Sequence, residues 1–176
     1  MFPGFQEFNI SVSDTATLHG VRSPGMDKPP LLLIHGFPQT HHIYHLVAPH
    51  LAKDYTLIIP SLKGYGSSSK PFSSSTLSPP HYPYSKSVMA SELVSLMTYL
   101  GFSTFGVIGH DRGGRVAHKM CVDYPDKVVK CLVLDIAPTL AMFEATDQGF
   151  ATDYWHWFFL IQPAPFPENL ILANHS

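Results

Sequence analysis

The sequence is poor in charge, poor in cysteine and without a long apolar run. Asp, Glu, Lys and Arg together make up 14% of 176 residues, and the formal net charge is -2. Lys and Arg nowhere form a run, so the electrostatic footprint needed for nucleic acid or an anionic membrane surface is missing. The two cysteines, Cys121 and Cys131, lack the spacing of a metal motif or a disulfide framework and read as small core residues. The first residues lack the basic and apolar regions of a secretory signal, and no stretch is long enough to span a bilayer. A reducing, cytoplasmic setting is the expectation. There is no internal repeat. The glycine-rich loop Ser61-Leu62-Lys63-Gly64-Tyr65-Gly66-Ser67 lacks the residues of a phosphate-binding loop. His41, His42 and His45 have no carboxylate or cysteine beside them and read as a solvated helix face, so neither a metal nor an organic cofactor is expected. What remains is a chain with 45% hydrophobic residues, enough to bury roughly 70% of its unfolded surface. Its expected partner is a small molecule.

The strand pattern is that of an α/β protein. Phe5 to Ser13 alternates, and Ala16 to Arg22 resumes after Asp14-Thr15, predicting an antiparallel pair at a sheet edge. Leu31 to Ile34, Leu57 to Ile59, Phe105 to Ile108 and Val128 to Leu134 are continuously apolar, as strands covered on both faces are, and helical patterns between them make the sheet parallel. Thr40 is placed to cap a helix that Pro49 splits, and Ser85 or Ser87 to cap a helix closed by Gly101. Ser67 to Pro83, rich in serine and proline, reads as a surface excursion. From Pro138 the texture becomes aromatic and proline-rich, so the domain expectation is a core over 1–138 and a second unit over 139–176.

The chemistry concentrates in Gly106-Val107-Ile108-Gly109-His110-Asp111-Arg112-Gly113-Gly114. An apolar strand runs into an acid with glycine two residues before and two after, and an amphipathic helix begins at once. That is the G-x-nucleophile-x-G elbow of α/β-hydrolases with aspartate in the nucleophile position. A carboxylate nucleophile suits attack on a saturated carbon, leaving an ester that a second step hydrolyses. Arg112 and Arg115, near the first turn of that helix, can grip an anionic substrate and keep Asp111 ionised; the plainer alternative is a pair of surface ion pairs.

HGFPQT, GHDRGGR, LDIAPT and YWHWFFLIQPAPFPENL, in that order, resemble the fluoroacetate (haloacetate) dehalogenases of the α/β-hydrolase superfamily. The arginine after the nucleophile discriminates, since epoxide hydrolases and haloalkane dehalogenases usually carry tryptophan there. The resemblance implies an α/β-hydrolase fold, with Asp111 as the nucleophile and Arg112 and Arg115 as the clamp on the substrate carboxylate. It makes Asp135 the acid that orients the catalytic histidine; a helix-cap or turn acid is the alternative. His156 and Trp157 become the halide cradle, or else plain packing aromatics. The backbone N–H groups of Phe37 and Arg112 become the oxyanion hole. The implied reaction joins a small 2-haloacid and water without a cofactor, and family members are often homodimers. Family members continue through the rest of a helical cap, add two more strands and place the water-activating histidine after the last. On that basis the chain is expected to be a fragment, with the sheet lacking its last strands, only the beginning of the cap, and the Val128 to Leu134 strand left as an exposed apolar edge. His110 and His175 are poor substitutes for the base. Ser61 stands where relatives often have aspartate. Epoxide hydrolysis, with Tyr154 as the nearby acid, and a non-catalytic truncated protein are the competing readings.

Overall fold

The computed structural model describes residues 2–71 and 81–173. They divide into two compact units, Met1–Ile136 and Ala137–Ser176. The first unit holds strands β1 (Gln6–Ser13), β2 (Ala16–Arg22), β3 (Pro30–Ile34), β4 (Thr56–Pro60), β5 (Phe105–His110) and β6 (Val128–Leu134). Its helices are α1 (Ala48–Leu51), α2 (Lys86–Tyr99) and α3 (Arg112–Asp123). The second holds α4 (Thr139–Glu144), α5 (Gln148–Asp153), α6 (Trp155–Leu160) and α7 (Phe166–Leu172).

The six strands form one sheet in the order β1-β2-β4-β3-β5-β6. β1 and β2 pair antiparallel, as do β2 and β4, while β4, β3, β5 and β6 run parallel. The chain leaves β3 toward β4, then crosses back to lay β5 on the other flank of β3. The carboxyl ends of β3 and β5 therefore flank the point where the winding reverses, and a crevice opens there in such sheets.

Side-chain alternation explains why β3 and β4 read as unbroken apolar runs. Leu32, Ile34 and Ile58 join one buried cluster with Leu93, Leu96 and Met97 of α2 and Val116 and Met120 of α3. Leu31, Leu33, Leu57 and Ile59 point to the opposite face, where Tyr44 and Ala48 cover them. Both faces are occupied, so every position is apolar.

The edge differs. β6 pairs only with β5 among the described residues, and Val129, Leu132, Val133 and Leu134 are exposed. Its apolar run is the expected open edge. Cys131 lies on this strand and is exposed, and Cys121 on α3 is half-buried. The expectation that both sit in the core is therefore corrected: among the described residues β6 has no strand beyond it, and Cys121 sits at a half-buried position of α3.

Helix ends follow their chemistry. Ser85 Oγ accepts the Val88 N–H at 3.3 Å and starts α2, and Gly101 turns the chain away with φ +89°. Thr40 caps a short 3-10 turn over His41–Tyr44, and Pro49 lies in the first turn of the separate α1. The serine- and proline-rich excursion lies mostly outside the described residues. In the second unit, Asp147 caps α5 by accepting the Phe150 N–H at 2.8 Å, and Phe143, Phe150, Tyr154 and Trp157 pack ring to ring. No helix among the described residues is long and apolar enough to cross a membrane.

Candidate active site

Asp111 stands between the last residue of β5 and the first of α3. Its backbone has φ +48° and ψ -119°, a region that side-chain-bearing residues rarely adopt. The surroundings enforce it. Its N–H donates to the Leu134 carbonyl at 3.1 Å, and its carbonyl accepts the N–H groups of Gly114 at 2.9 Å and Arg115 at 3.2 Å. The strained residue is thus tied to the end of β6 and to the first turn of α3 at once.

The flanking glycines are there because backbones approach closely. A Cβ on Gly113 would strike the Ile34 and His35 carbonyls at the end of β3, and a Cβ on Gly36 would lie 2.5 Å from the Cβ of Asp111. The loop after β3 and the elbow after β5 therefore lie against each other. Across that contact the Phe37 N–H donates to Asp111 Oδ2 at 2.9 Å. Gln39 Oε1 braces the same loop, accepting from the Gly36 N–H at 3.2 Å and from His110 Nδ1 at 3.1 Å. His110 thus turns toward Gln39.

The arginines sit on the helix that starts at the elbow. The Arg112 guanidinium lies 5.1 Å from the centre of the Phe37 ring, within cation–π range. Arg115 is half-buried, and burial first and Arg112 second lower its pKa, with Asp111 acting against them. Asp135 follows Leu134, the residue whose carbonyl holds the elbow, and has φ +52°. It is exposed. Asp111, Arg112, Arg115, Asp135 and Phe37 all belong to the first unit. His156 and Trp157 belong to the second, both half-buried on α6. The Trp157 ring packs against Phe143, Phe150 and Tyr154, and that of His156 against Tyr154 and Trp155.

A layer of buried polar side chains behind the site escaped the sequence patterns. His35 Nε2 accepts the Leu62 N–H at 2.9 Å, so the other ring nitrogen carries the proton and donates to the Gly36 carbonyl at 2.8 Å. Burial lowers its pKa and keeps it neutral, which that pairing requires. The Tyr65 ring stands edge-on to His35 with centroids 5.0 Å apart. Lys63 Nζ and Glu92 Oε1 form a buried ion pair at 2.5 Å, bolting the loop after β4 to α2. None of these links has a sequence period, because each joins residues far apart in the chain.

His41 also departs from expectation. It is 4% exposed, and its Nδ1 lies 2.8 Å from Ser61 Oγ, so the ring is a buried partner of Ser61 instead of part of a solvated face. Burial above all, then the imidazoles of His42, His19 and His35, lower its pKa from 6.5 to about 4. Between those values the unfolded chain binds the extra proton, so stability falls as the pH drops through that window. Denaturant midpoints at pH 7 and 5 are expected to differ by roughly 1–2 kcal/mol more in the native chain than in His41→Gln. Equal differences in the two proteins would refute this. Among the described residues no group of three His, Cys, Asp or Glu is arranged to hold a metal ion.

Residues 29–172 match the α/β hydrolase fold family. The chain is 49% identical over 174 residues to a fluoroacetate dehalogenase of Burkholderia sp, covering 99% of this chain and 55% of that protein. It is 39% identical over 111 residues to a soluble epoxide hydrolase of Corynebacterium sp. (strain C12), covering 63% of this chain and 36% of that one. A crystal structure of an α/β hydrolase from Nostoc sp PCC 7120 superposes with a TM-score of 0.90 at 48% identity, over 99% of this chain and 57% of the other. The chain thus spans about half the length of the curated dehalogenase it matches, 55%. With a parallel sheet, a glycine-flanked elbow at the carboxyl end of β5 and a family match over most of its length, the chain belongs to the α/β hydrolase fold family.

Proposed function

We propose that this chain carries the nucleophile and carboxylate clamp of a hydrolytic dehalogenase acting on small 2-haloacids. The observation that carries the reading is Asp111: a carboxylate on a strained elbow, with Oδ2 held by the Phe37 N–H and two guanidiniums on the helix that follows. The other oxygen attacks the carbon bearing the halogen. The carbon–halogen bond breaks, the halide departs with the bonding electrons, and an aspartyl ester remains. Arg112 and Arg115 hold the substrate's carboxylate, which fixes the angle of attack. His156 and Trp157 are assigned as N–H donors to the departing halide and Asp135 as the acid that orients the base. Water then cleaves the ester, giving the 2-hydroxy acid, a proton and free Asp111, while the Phe37 and Arg112 N–H groups stabilise the oxyanion. The name of the Burkholderia relative, fluoroacetate dehalogenase, supports the same reading.

The first step needs only residues of this chain and gives the test. Incubation with chloroacetate is expected to release chloride and add one carboxymethyl group, as an ester, to the peptide containing Asp111, as read by an ion-selective electrode and by peptide mass spectrometry. A chain folded by circular dichroism that gains no label and releases no chloride would sink the proposal. The name of the Corynebacterium relative supports epoxide hydrolysis as a second reading. It shares the nucleophile but has no use for a carboxylate clamp. Labelling of Asp111 by a small neutral epoxide faster than by chloroacetate would favour it.

A further inference from the structure

A cavity of about 390 Å³ opens beside the elbow, lined by Arg112 and Phe37 on one side and by Tyr65, Tyr84, Lys86 and Met89 on the other. Pockets of this size hold ligands well above two carbons, so a haloacetate gripped at Arg112 leaves space unused. Among the described residues no carboxylate lines it.

The charges of the cavity are unequally committed. Lys63, which also borders it, is neutralised by Glu92 at 2.5 Å. Lys70 is occupied by the carbonyls of Gly66 and Ser68. Among the described residues Lys86, the first residue of α2, has only the Met89 sulfur at 4.0 Å as a hydrogen-bond neighbour. Among the described residues no acid pairs with Lys86 or with Arg112, and residues 72–80 contain none. Two cations with no acid in ion-pair contact thus border one cavity, whose lining also holds aromatic rings and a methionine. That pattern matches a short carbon chain with an anion at each end.

We propose that Lys86 and the cavity it shares with Arg112 form a subsite for a second carboxylate, so that halogenated dicarboxylic acids are better substrates than two-carbon haloacids. This rests on the dehalogenase reading of Asp111. The groups facing Lys86 are Arg112 and Arg115 from α3, Asp111 from the elbow, and Lys63, Tyr65 and Lys70 from the loop after β4. Tyr84 lies just ahead of its own helix. Burial first, then the two arginines, lower the Lys86 pKa to about 8, with Asp111 acting against them. The ammonium is therefore present below about pH 8 and lost above it, whereas an arginine in its place stays charged.

The test is calorimetric titration of the 176-residue chain carrying Asp111→Asn, so that no ester forms, with 2-chlorosuccinate and chloroacetate. Chlorosuccinate is expected to bind about tenfold tighter at pH 7. Lys86→Gln is expected to shrink that preference below about threefold. Lys86→Arg is expected to keep it and to carry it past the pH at which the native lysine loses it. Equal affinities for the two acids, or a Lys86→Gln variant that weakens both alike, would overturn the subsite. Labelling of native Asp111 by chloroacetate without any diacid preference would overturn the subsite alone. A folded native chain that neither binds these acids nor is labelled would overturn the dehalogenase reading and the subsite with it.

Discussion

Asp111→Asn is expected to leave a folded chain that is no longer labelled by chloroacetate, a loss on the order of 10⁴-fold or more in the rate of adduct formation. The substitution keeps the shape of the side chain and the partner it holds: the amide oxygen can accept the Phe37 N–H that Asp111 Oδ2 accepts at 2.9 Å. What disappears is the negative oxygen that attacks carbon. The measurement is intact-protein mass against time, with a thermal melt of the same sample. Persistent labelling at the native rate would mean that another carboxylate reacts with the haloacid. Asp111 would then be a structural residue at a tight turn.

Lys63→Met has the largest expected effect on stability, a loss of about 3–5 kcal/mol. The side chains of Lys63 and Glu92 are 1% and 5% exposed, so removing the ammonium strands a carboxylate in the interior. Burial already raises the pKa of Glu92, and the Lys63 hydrogen bond and charge oppose that rise. Without Lys63 only the Ser13 hydrogen bond still opposes that rise, and the folded state holds a proton on Glu92 that the unfolded state releases at lower pH. The folded form of the variant therefore binds more protons, and its stability falls as the pH rises through the raised value. Guanidinium midpoints should accordingly show a greater loss at pH 8 than at pH 5. Adding Glu92→Leu is expected to recover most of the deficit, because a buried pair can often be replaced by apolar groups. A loss under about 1 kcal/mol at both pH values would mean that water reaches the pair after the substitution.

The parts of the fold readable from the chain are those whose burial is set locally. β3 and β4 were expected as strands covered on both faces because each run carries an apolar side chain at every position, and Leu31 and Leu33 do face away from Leu32 and Ile34. The elbow was readable because close backbone approach demands glycine, and Gly109 and Gly113 flank the acid. Val128 to Leu134 is apolar but for Lys130, much as β3 is apolar, yet its side chains are mostly exposed. A strand's own composition does not record whether a neighbour covers it. The same reason explains Cys131. His41 was missed for a different one: a histidine in a polar loop has no period to betray that Ser61, twenty residues on, will bury and bond it. Lys86 was hidden between two serines read for their capping value, one of which does cap α2.

The position of β3 sets how the molecule opens. Its backbone is hydrogen-bonded on both flanks, to β4 through Leu31 and Leu32 and to β5 through Leu31 to Ile34. Amide hydrogens in such a strand exchange with solvent only when the whole unit unfolds, whereas an edge such as β6 can fray alone. The loop that holds Phe37 against Asp111 springs from the end of β3, a strand paired on both sides. The Phe37 N–H that Asp111 Oδ2 accepts is thus anchored to a strand paired on both sides, and breathing of the outer strand leaves that anchor in place.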